Sequence, residues 1–142
     1  MKWTLILALC VCSCFLLAQD RNANLLIGGR IQDATGSSLK NASVKVTNEQ
    51  GASFSVQANN DGSFEFTVPF DMVCQASFYA KKHQPKSIEL DTRNVPKAER
   101  EWGYEFSGFI VNLTATTLPK LPEIVGRIYY DVSDESFKSV KK

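Results

Sequence analysis

The sequence predicts an all-β protein: a seven-stranded Greek-key β-sandwich with an N-terminal signal peptide and a C-terminal extra strand. Between residues 25 and 115, apolar and polar residues alternate in several short runs, which is the pattern of half-buried strands. Turn sequences recur about every ten residues, as in β-sandwiches. Beyond the first 18 residues, no stretch of ten or more residues has helical periodicity. We therefore expect a signal peptide over residues 1–18, the sandwich over 19–117, and a linker, edge strand and polar tail over 118–142.

The first 18 residues have the pattern of a secretory signal peptide. Lys2 is followed by an almost continuously apolar run over residues 3–17, shorter than the about 20 residues that a membrane-spanning helix needs. The small residue Ala18 suits a cleavage site. A second interpretation stays open, because residues 11–14 resemble a bacterial lipobox. Cys14 would then be a lipidated first residue and would anchor the protein to a membrane.

Charge and cysteine content exclude several classes of protein. Removing 18 of the 142 residues leaves 124, enough for one domain. The whole chain has 16 basic and 15 acidic residues, and Lys2 is the only charge in the removed segment, so the mature chain is neutral. Neutrality gives no reason to expect nucleic acid or anionic lipid as a partner.

Of the four cysteines only Cys74 remains in the mature chain. It lies in an apolar stretch, which predicts a small buried side chain.

Four strands and their turns fill the first half of the predicted sandwich, over residues 25–32, 43–47, 53–58 and 63–68. Gly28 and Gly29, inside the first strand, indicate a bulge or a close backbone approach. A turn at residues 33–36 separates the first two strands. Residues 59–62 end in Asp61-Gly62, a strong hairpin sequence, and Pro69 ends the fourth strand because it lacks an N–H.

Three more strands are predicted over residues 76–81, 87–91 and 109–115. The polar stretch between the last two indicates a long loop, with a short helical turn at residues 97–100. Beyond it, Pro119 and Pro122 favour an extended linker.

Residues 124–132 again alternate, and place Ile124, Ile128 and Tyr130 on one apolar face. This strand either docks on an edge of its own sandwich or is offered to a partner as an added strand. We favour docking, because exposed apolar edge strands aggregate. Residues 133–142 are polar, and we expect a frayed tail there.

One spaced set of residues resembles the carboxypeptidase regulatory-like domain family. The matching positions are Ile27, Gly29, Ile31, Asp33, Gly36, Leu39, Ala42, Val44 and Val46, followed by Asn60-Asp61-Gly62-Ser63-Phe64. The resemblance covers residues 25–115 and implies a transthyretin-like (prealbumin-like) sandwich that works as a non-catalytic module. Residues 88–92 and 128–131 are similar to small secreted versions from Gram-negative envelopes. Ser38 and His83-Gln84 depart from the family pattern.

The chain is poorly provided with catalytic groups. His83 is the only histidine, no Gly-x-Ser-x-Gly sequence is present, and one histidine with Cys74 cannot form a tetrahedral zinc site. Some transthyretin-like enzymes, the ring-opening hydrolases, use several histidines and a C-terminal Tyr-Arg-Gly-Ser. Others, the intradiol dioxygenases, bind iron with two histidines and two tyrosines. This chain meets neither pattern. Glu89 and Asp91 share a strand face, as paired carboxylates do, but a solvated strand explains them equally well. We expect no enzyme activity and no cofactor.

The clearest candidate binding residues are aromatic. Trp102, Tyr104 and Phe106 alternate, and the inward phase changes across Ser107-Gly108. A bulge there would leave Trp102 and Tyr104 outside, where they would form a flat apolar platform. The other interpretation, which we favour, is that the aromatic residues cover one open end of the sandwich. Phe106 and Tyr129 complete the set of candidate binding residues.

The sequence thus predicts an exported structural or interaction module of a bacterial periplasm or cell surface. Its partner would be an envelope protein, bound by edge-strand pairing or by the aromatic residues. Membrane contact is expected only if Cys14 is lipidated. A carbohydrate-binding module that uses Trp102 and Tyr104 is the alternative, and a hydrolase built around His83 is a third.

Overall fold

The computed structural model describes residues 24–142, which form nine β-strands and one 3-10 helix over Lys97–Trp102. The predicted signal peptide and Cys14, the alternative lipidation site, lie outside the described residues. No helix of residues 24–142 is long and apolar enough to cross a membrane. The strands are β1 (Asn24–Asp33), β2 (Ser43–Asn48), β3 (Ser53–Gln57), β4 (Ser63–Pro69), β5 (Val73–Tyr79), β6 (Lys86–Asp91), β7 (Tyr104–Leu113), β8 (Glu123–Asp131) and β9 (Ser136–Lys141).

The strands form two mixed sheets that pack as a sandwich, as predicted. One sheet has three strands in the order β4-β1-β7, and the other has six in the order β3-β2-β5-β6-β8-β9. Two neighbouring pairs, β1 with β7 and β6 with β8, are parallel, and the others are antiparallel. The unequal width of the sheets leaves part of the wider sheet uncovered.

The core lies between the sheets and is built from the inward residues of the alternating strands. Leu25, Ile27 and Ile31 of β1 are fully buried, as are Phe78 of β5 and Leu90 of β6. Burying a side chain of this size contributes about 1.5–3 kcal/mol to folding. The period-2 pattern therefore predicted the core, because the residues that alternate inward are the residues that this sandwich buries.

Two backbone features predicted from glycines are confirmed. A Cβ on Gly29 would lie 2.3 Å from the Phe109 carbonyl oxygen, so β1 and β7 approach each other too closely for any side chain there. Between the pairs Ile27–Phe106 and Gly29–Phe109 the register shifts. Ser107 and Gly108 (φ +78°) thus lie opposite a single residue, which is the predicted bulge.

The strand bounds differ from prediction where tertiary pairing extends an element. β5 begins at Val73 and β7 at Tyr104, each several residues early, because β6 and β1 provide backbone partners there. The predicted frayed tail is wrong: β9 pairs with β8 along its whole length. Its Phe137 ring packs 5.3 Å from that of Tyr130 and 5.4 Å from that of Tyr104, so two aromatic contacts help to hold this edge strand.

Candidate functional site

β8, the predicted partner strand, has no free edge. One side pairs with β6 and the other with β9. Ile128 and Tyr130 are buried in the core of the described sandwich. A register shift near Ser87 places Ile124 opposite that residue, off the face of Ile128. The idea that β8 is offered to a partner through these residues is wrong, and docking on its own sandwich is confirmed.

The four candidate aromatic residues do not form one platform. Tyr104 packs edge-on against Tyr130 and Phe137, at 5.5 and 5.4 Å, and Phe106 packs against the core. Trp102, at the end of the 3-10 helix, is 81 % exposed. The bulge has the opposite effect to the one predicted: by absorbing one extra residue, it lets apolar side chains on both sides of it face inward.

Tyr129 lies on the outer face of the six-stranded sheet, away from the other candidate rings. The Arg127 guanidinium lies over it, 5.4 Å from the ring centre. This contact orients the arginine beside the carboxylates of β6.

A tyrosine–glutamate cluster that the sequence did not predict closes the end of the sandwich near Trp102. The hydroxyls of Tyr104 and Tyr130 donate to Glu99 Oε2 at 2.7 and 2.9 Å. Burial, together with these neighbours, raises the pKa of Tyr104 well above its ordinary range. Nearby, Arg100 donates to Asp71 Oδ1 at 2.7 Å. These bonds fix the 3-10 helix to both sheets. No local pattern indicates the cluster, because Tyr130 and Asp71 lie 31 and 29 residues from their partners.

The carboxylates Glu89 and Asp91 are held by arginines and are not an acid–base pair. Asp91 is 4 % exposed and accepts hydrogen bonds from Arg93 Nε and Nη2 at 3.0 and 2.9 Å. Arg127 bridges the two acids, contacting Asp91 and lying 3.0 Å from Glu89 Oε1. The Arg93 hydrogen bonds, aided by Arg127, lower the pKa of Asp91 to about 2. The solvated-strand interpretation therefore holds for Glu89 and is wrong for Asp91.

The remaining chemical candidates are isolated from one another. His83 Nδ1 lies 2.9 Å from the Lys81 carbonyl oxygen, in the turn after β5. Cys74 is a buried free thiol, and burial raises its pKa to about 11. Within residues 24–142, no group of three or more His, Cys, Asp or Glu side chains is placed to hold a metal ion.

One opening of the sandwich is a partly apolar cleft of about 580 Å³ between the free edge of β7 and the strands β8 and β9. It exists because the three-stranded sheet ends at β7, whereas the six-stranded sheet continues beneath it. The apolar residues that line it are Phe106, Phe109 and Ile110 from β7, Val125 and Ile128 from β8, and Val140 from β9. Polar and charged residues line it as well, among them Lys86, Asn112, Arg127, Ser139 and Lys141.

The edge of β7 carries little charge, like the edge strands β3 and β4 and unlike β9. Over ten residues it has one charged side chain, Glu105, and Ile110 at the mouth of the cleft is 57 % exposed. β9, in contrast, presents Lys138 and Lys141, which are typical of an edge protected against pairing. The sequence did not predict β7 as an edge, because nothing in its own residues indicates on which side it pairs.

No family model and no curated protein matches this chain. Among solved structures, the Bacillus anthracis TIE protein is similar with a TM-score of 0.51 and 15 % identity, over 66 % of this chain and 17 % of that protein. The 3-chlorocatechol 1,2-dioxygenase of Rhodococcus opacus 1CP has a TM-score of 0.48 and 12 % identity, over 65 % of this chain and 59 % of the enzyme. The Acinetobacter radioresistens catechol 1,2-dioxygenase has a TM-score of 0.49 and 12 % identity, over 75 % and 58 %.

This chain therefore spans less than two thirds of each of these three proteins. At such identity, the likeness to the TIE protein shows the fold alone.

Proposed function

We propose that this chain is an exported, non-catalytic module of the bacterial cell envelope that binds a protein partner by adding a strand to β7. The observation that carries the proposal is the free edge of β7 beside an open, partly apolar cleft. Strand addition joins main-chain hydrogen bonds along an edge with side-chain pockets at alternate positions, and β7 offers both.

The cleft supplies the pockets that such a strand needs. Successive side chains of an added strand point to opposite faces, so every second one would enter the cleft, against Val125 and Ile128. The others would extend the outer face of the narrower sheet beside Ile110. The added strand would cover the part of the wider sheet that β7 leaves open.

The overhang of the wider sheet favours a single extended segment over a partner's preformed sheet. Neighbouring strands lie about 4.8 Å apart and packed sheets about 10 Å apart. A folded partner sheet that approached β7 edge-on would carry its own packed layer beneath it. That layer would meet β8 and β9. An extended tail or loop of the partner meets no such obstacle.

The chemical groups of the described residues support a binding role in preference to hydrolysis or glycan binding. Asp91 is held ionised by two arginines, Cys74 is buried, and His83 contacts a backbone carbonyl. Trp102 presents one exposed ring without a second beside it, so the aromatic platform that motivated the carbohydrate alternative is not formed.

The test places a photo-crosslinking amino acid at position 110 in the native host. The matched control places it at Val132, which is 60 % exposed against 57 % for Ile110 but lies outside the cleft. The proposal expects one envelope protein to be crosslinked from position 110 only, through a single short segment. A synthetic peptide of that segment should bind wild type, lose about tenfold or more in affinity to Ile110→Lys, and bind Val132→Lys normally.

Equal crosslinking from positions 110 and 132 would overturn the proposal. Equal affinity of the peptide for wild type and for Ile110→Lys would overturn it as well. Hydrogen exchange gives an independent check, since the added strand should protect amides of β7 and leave those of β3 unchanged. Protection of β3 in place of β7 would assign the interface to the other end of the molecule.

A further inference from the structure

We propose that the loop over residues 114–122, between β7 and β8, is a membrane-contact loop that places Leu118 and Leu121 in the surface of an anionic lipid bilayer. This inference is independent of strand addition at β7. The two leucines are 80 % and 89 % exposed, against 57 % for Ile110. Single exposed apolar residues are common on protein surfaces, but two of this size on one short loop require a reason.

The loop is held in a fixed shape that displays these leucines. Each of them precedes a proline, Pro119 or Pro122, and residues before proline are restricted to extended conformations. The Gln84 side chain accepts from the Lys120 amide at 2.9 Å and donates to the Leu121 carbonyl oxygen at 3.2 Å. Little conformational freedom is therefore left to lose on insertion, so the leucines are exposed by a rigid backbone.

Lysines surround the leucines and indicate the sign of the partner's charge. Lys120 lies between them in sequence, and the neighbouring turn supplies Lys81 and Lys82. That turn is tied to the loop because Thr116 N donates to the Lys82 carbonyl oxygen at 2.8 Å. Among the ion pairs of residues 24–142, none uses these three lysines. The acidic residues here are Glu123 at the loop's end and Asp33, which interacts electrostatically with His83 of the turn. The three lysines outnumber these two carboxylates, so the surroundings carry a net positive charge although the mature chain is neutral.

A bilayer fits this surface better than a protein does. A convex apolar tip needs a complementary pocket on a protein, whereas a fluid interface accommodates it without one. Apolar residues that enter the headgroup region, flanked by lysines that remain in water, are the features by which peripheral proteins bind anionic membranes. Neutral average charge does not exclude this, because surface potential acts on nearby charges within a Debye length of about 8–10 Å.

The experiment measures hydrogen exchange of the full chain with vesicles of phosphatidylcholine alone and of phosphatidylcholine mixed with phosphatidylglycerol. The proposal expects slower exchange in peptides covering residues 114–123 with the anionic vesicles only. This local readout is needed because the apolar run over residues 3–17 partitions into lipid by itself.

The loop variant is the double substitution Leu118→Ser, Leu121→Ser, and its control is Val132→Ser, at an exposed position outside the loop. Circular dichroism verifies that both remain folded, as expected for exposed positions. The loop variant should lose the protection of residues 114–123 and bind anionic vesicles about tenfold more weakly or worse, with the control within about twofold of wild type. Lys81→Ala, Lys82→Ala should weaken binding at low salt and have less effect at high salt.

Unchanged exchange in the loop while the protein binds the vesicles would overturn the proposal, because contact would then be made elsewhere. Equal binding to neutral and anionic vesicles would overturn the part assigned to the lysines. If the loop variant kept full vesicle binding and instead lost a crosslinked protein partner, the leucines would belong to a protein interface.

Discussion

Replacing Asp91 by asparagine should destabilise the sandwich at neutral pH and flatten its loss of stability in acid. Asp91 is buried on the outer face of β6 and bound by Arg93 and Arg127. Asparagine keeps the size of the side chain but removes the charge that both guanidinium groups contact. The substitution therefore tests the electrostatic bonds and leaves the packing of the site intact.

The magnitude follows from the pKa of this carboxyl. Its folded value of about 2 lies below its ordinary value of 3.8, and the difference corresponds to about 2 kcal/mol. Because the pKa is lowered on folding, this contribution is present above pH 3.8 and is lost as pH falls through 2. Buried ion pairs can cost more to break, but Arg93 and Arg127 are 56 % and 42 % exposed and regain water, which keeps the loss near the lower value.

The assay is urea unfolding of wild type and variant at pH 7, 5, 3 and 2. We expect the variant to be about 2 kcal/mol less stable at pH 7 and the two proteins to converge as pH approaches 2. Glu89→Gln is the matched control, because its ion pair with Arg127 joins two groups that are each about 40 % exposed and contributes at most about 1 kcal/mol.

Either of two results would refute this reasoning. Asp91→Asn could lower the free energy of unfolding no more than Glu89→Gln does. Burial would then not strengthen the ion pairs of Asp91. Curves for wild type and Asp91→Asn that stay parallel down to pH 2 would mean that this carboxyl has an ordinary pKa in the folded protein.

Three further predictions concern other contacts. Gly29→Ala should lose about 1–3 kcal/mol in urea unfolding, because its Cβ would meet the Phe109 carbonyl oxygen at 2.3 Å; wild-type stability would show that β7 can move away at no cost. Tyr104→Phe should lose about 1–2 kcal/mol, since it removes the hydroxyl that donates to Glu99; no loss would mean that water replaces the bond. Iodoacetamide labelling read at the Cys74 peptide should be slow at pH 8 in folded protein and fast in urea, because the thiol is buried with a pKa of about 11; equal rates would place it at the surface.

Local backbone features could be predicted from the sequence because adjacent residues encode them. Asp61-Gly62 predicted the hairpin, and Gly62 has a φ of +79°, a value that costs other residues energy. Ser107-Gly108 predicted the bulge from a change of apolar parity. Buried Ile27 and Ile31 follow from the period-2 alternation. Each of these signals is contained within a few consecutive residues.

The orientation and neighbours of these elements could not be predicted in the same way. The bulge was located correctly, but the sequence did not show that Tyr104 faces inward, because the rings it packs against come from β8 and β9. Asp91 belongs to a strand that alternates normally, and its burial depends on Arg127, which lies 36 residues away. The candidate site exists because no strand pairs with the outer edge of β7. No residue of β7 specifies that this edge stays unpaired.

The sequence by itself determined the fold class, most strands and their turns, since alternation and positive φ are properties of short segments. Only the tertiary structure decided which strands form the edges, that β9 pairs with β8 instead of fraying, and that the narrow sheet leaves a cleft beside β7. It also decided that Gln84 holds Leu118 and Leu121 exposed near Lys82. Sheet order results from competition among backbone edges distant in sequence, and every strand carries the same hydrogen-bonding groups, so its residues alone do not select a neighbour.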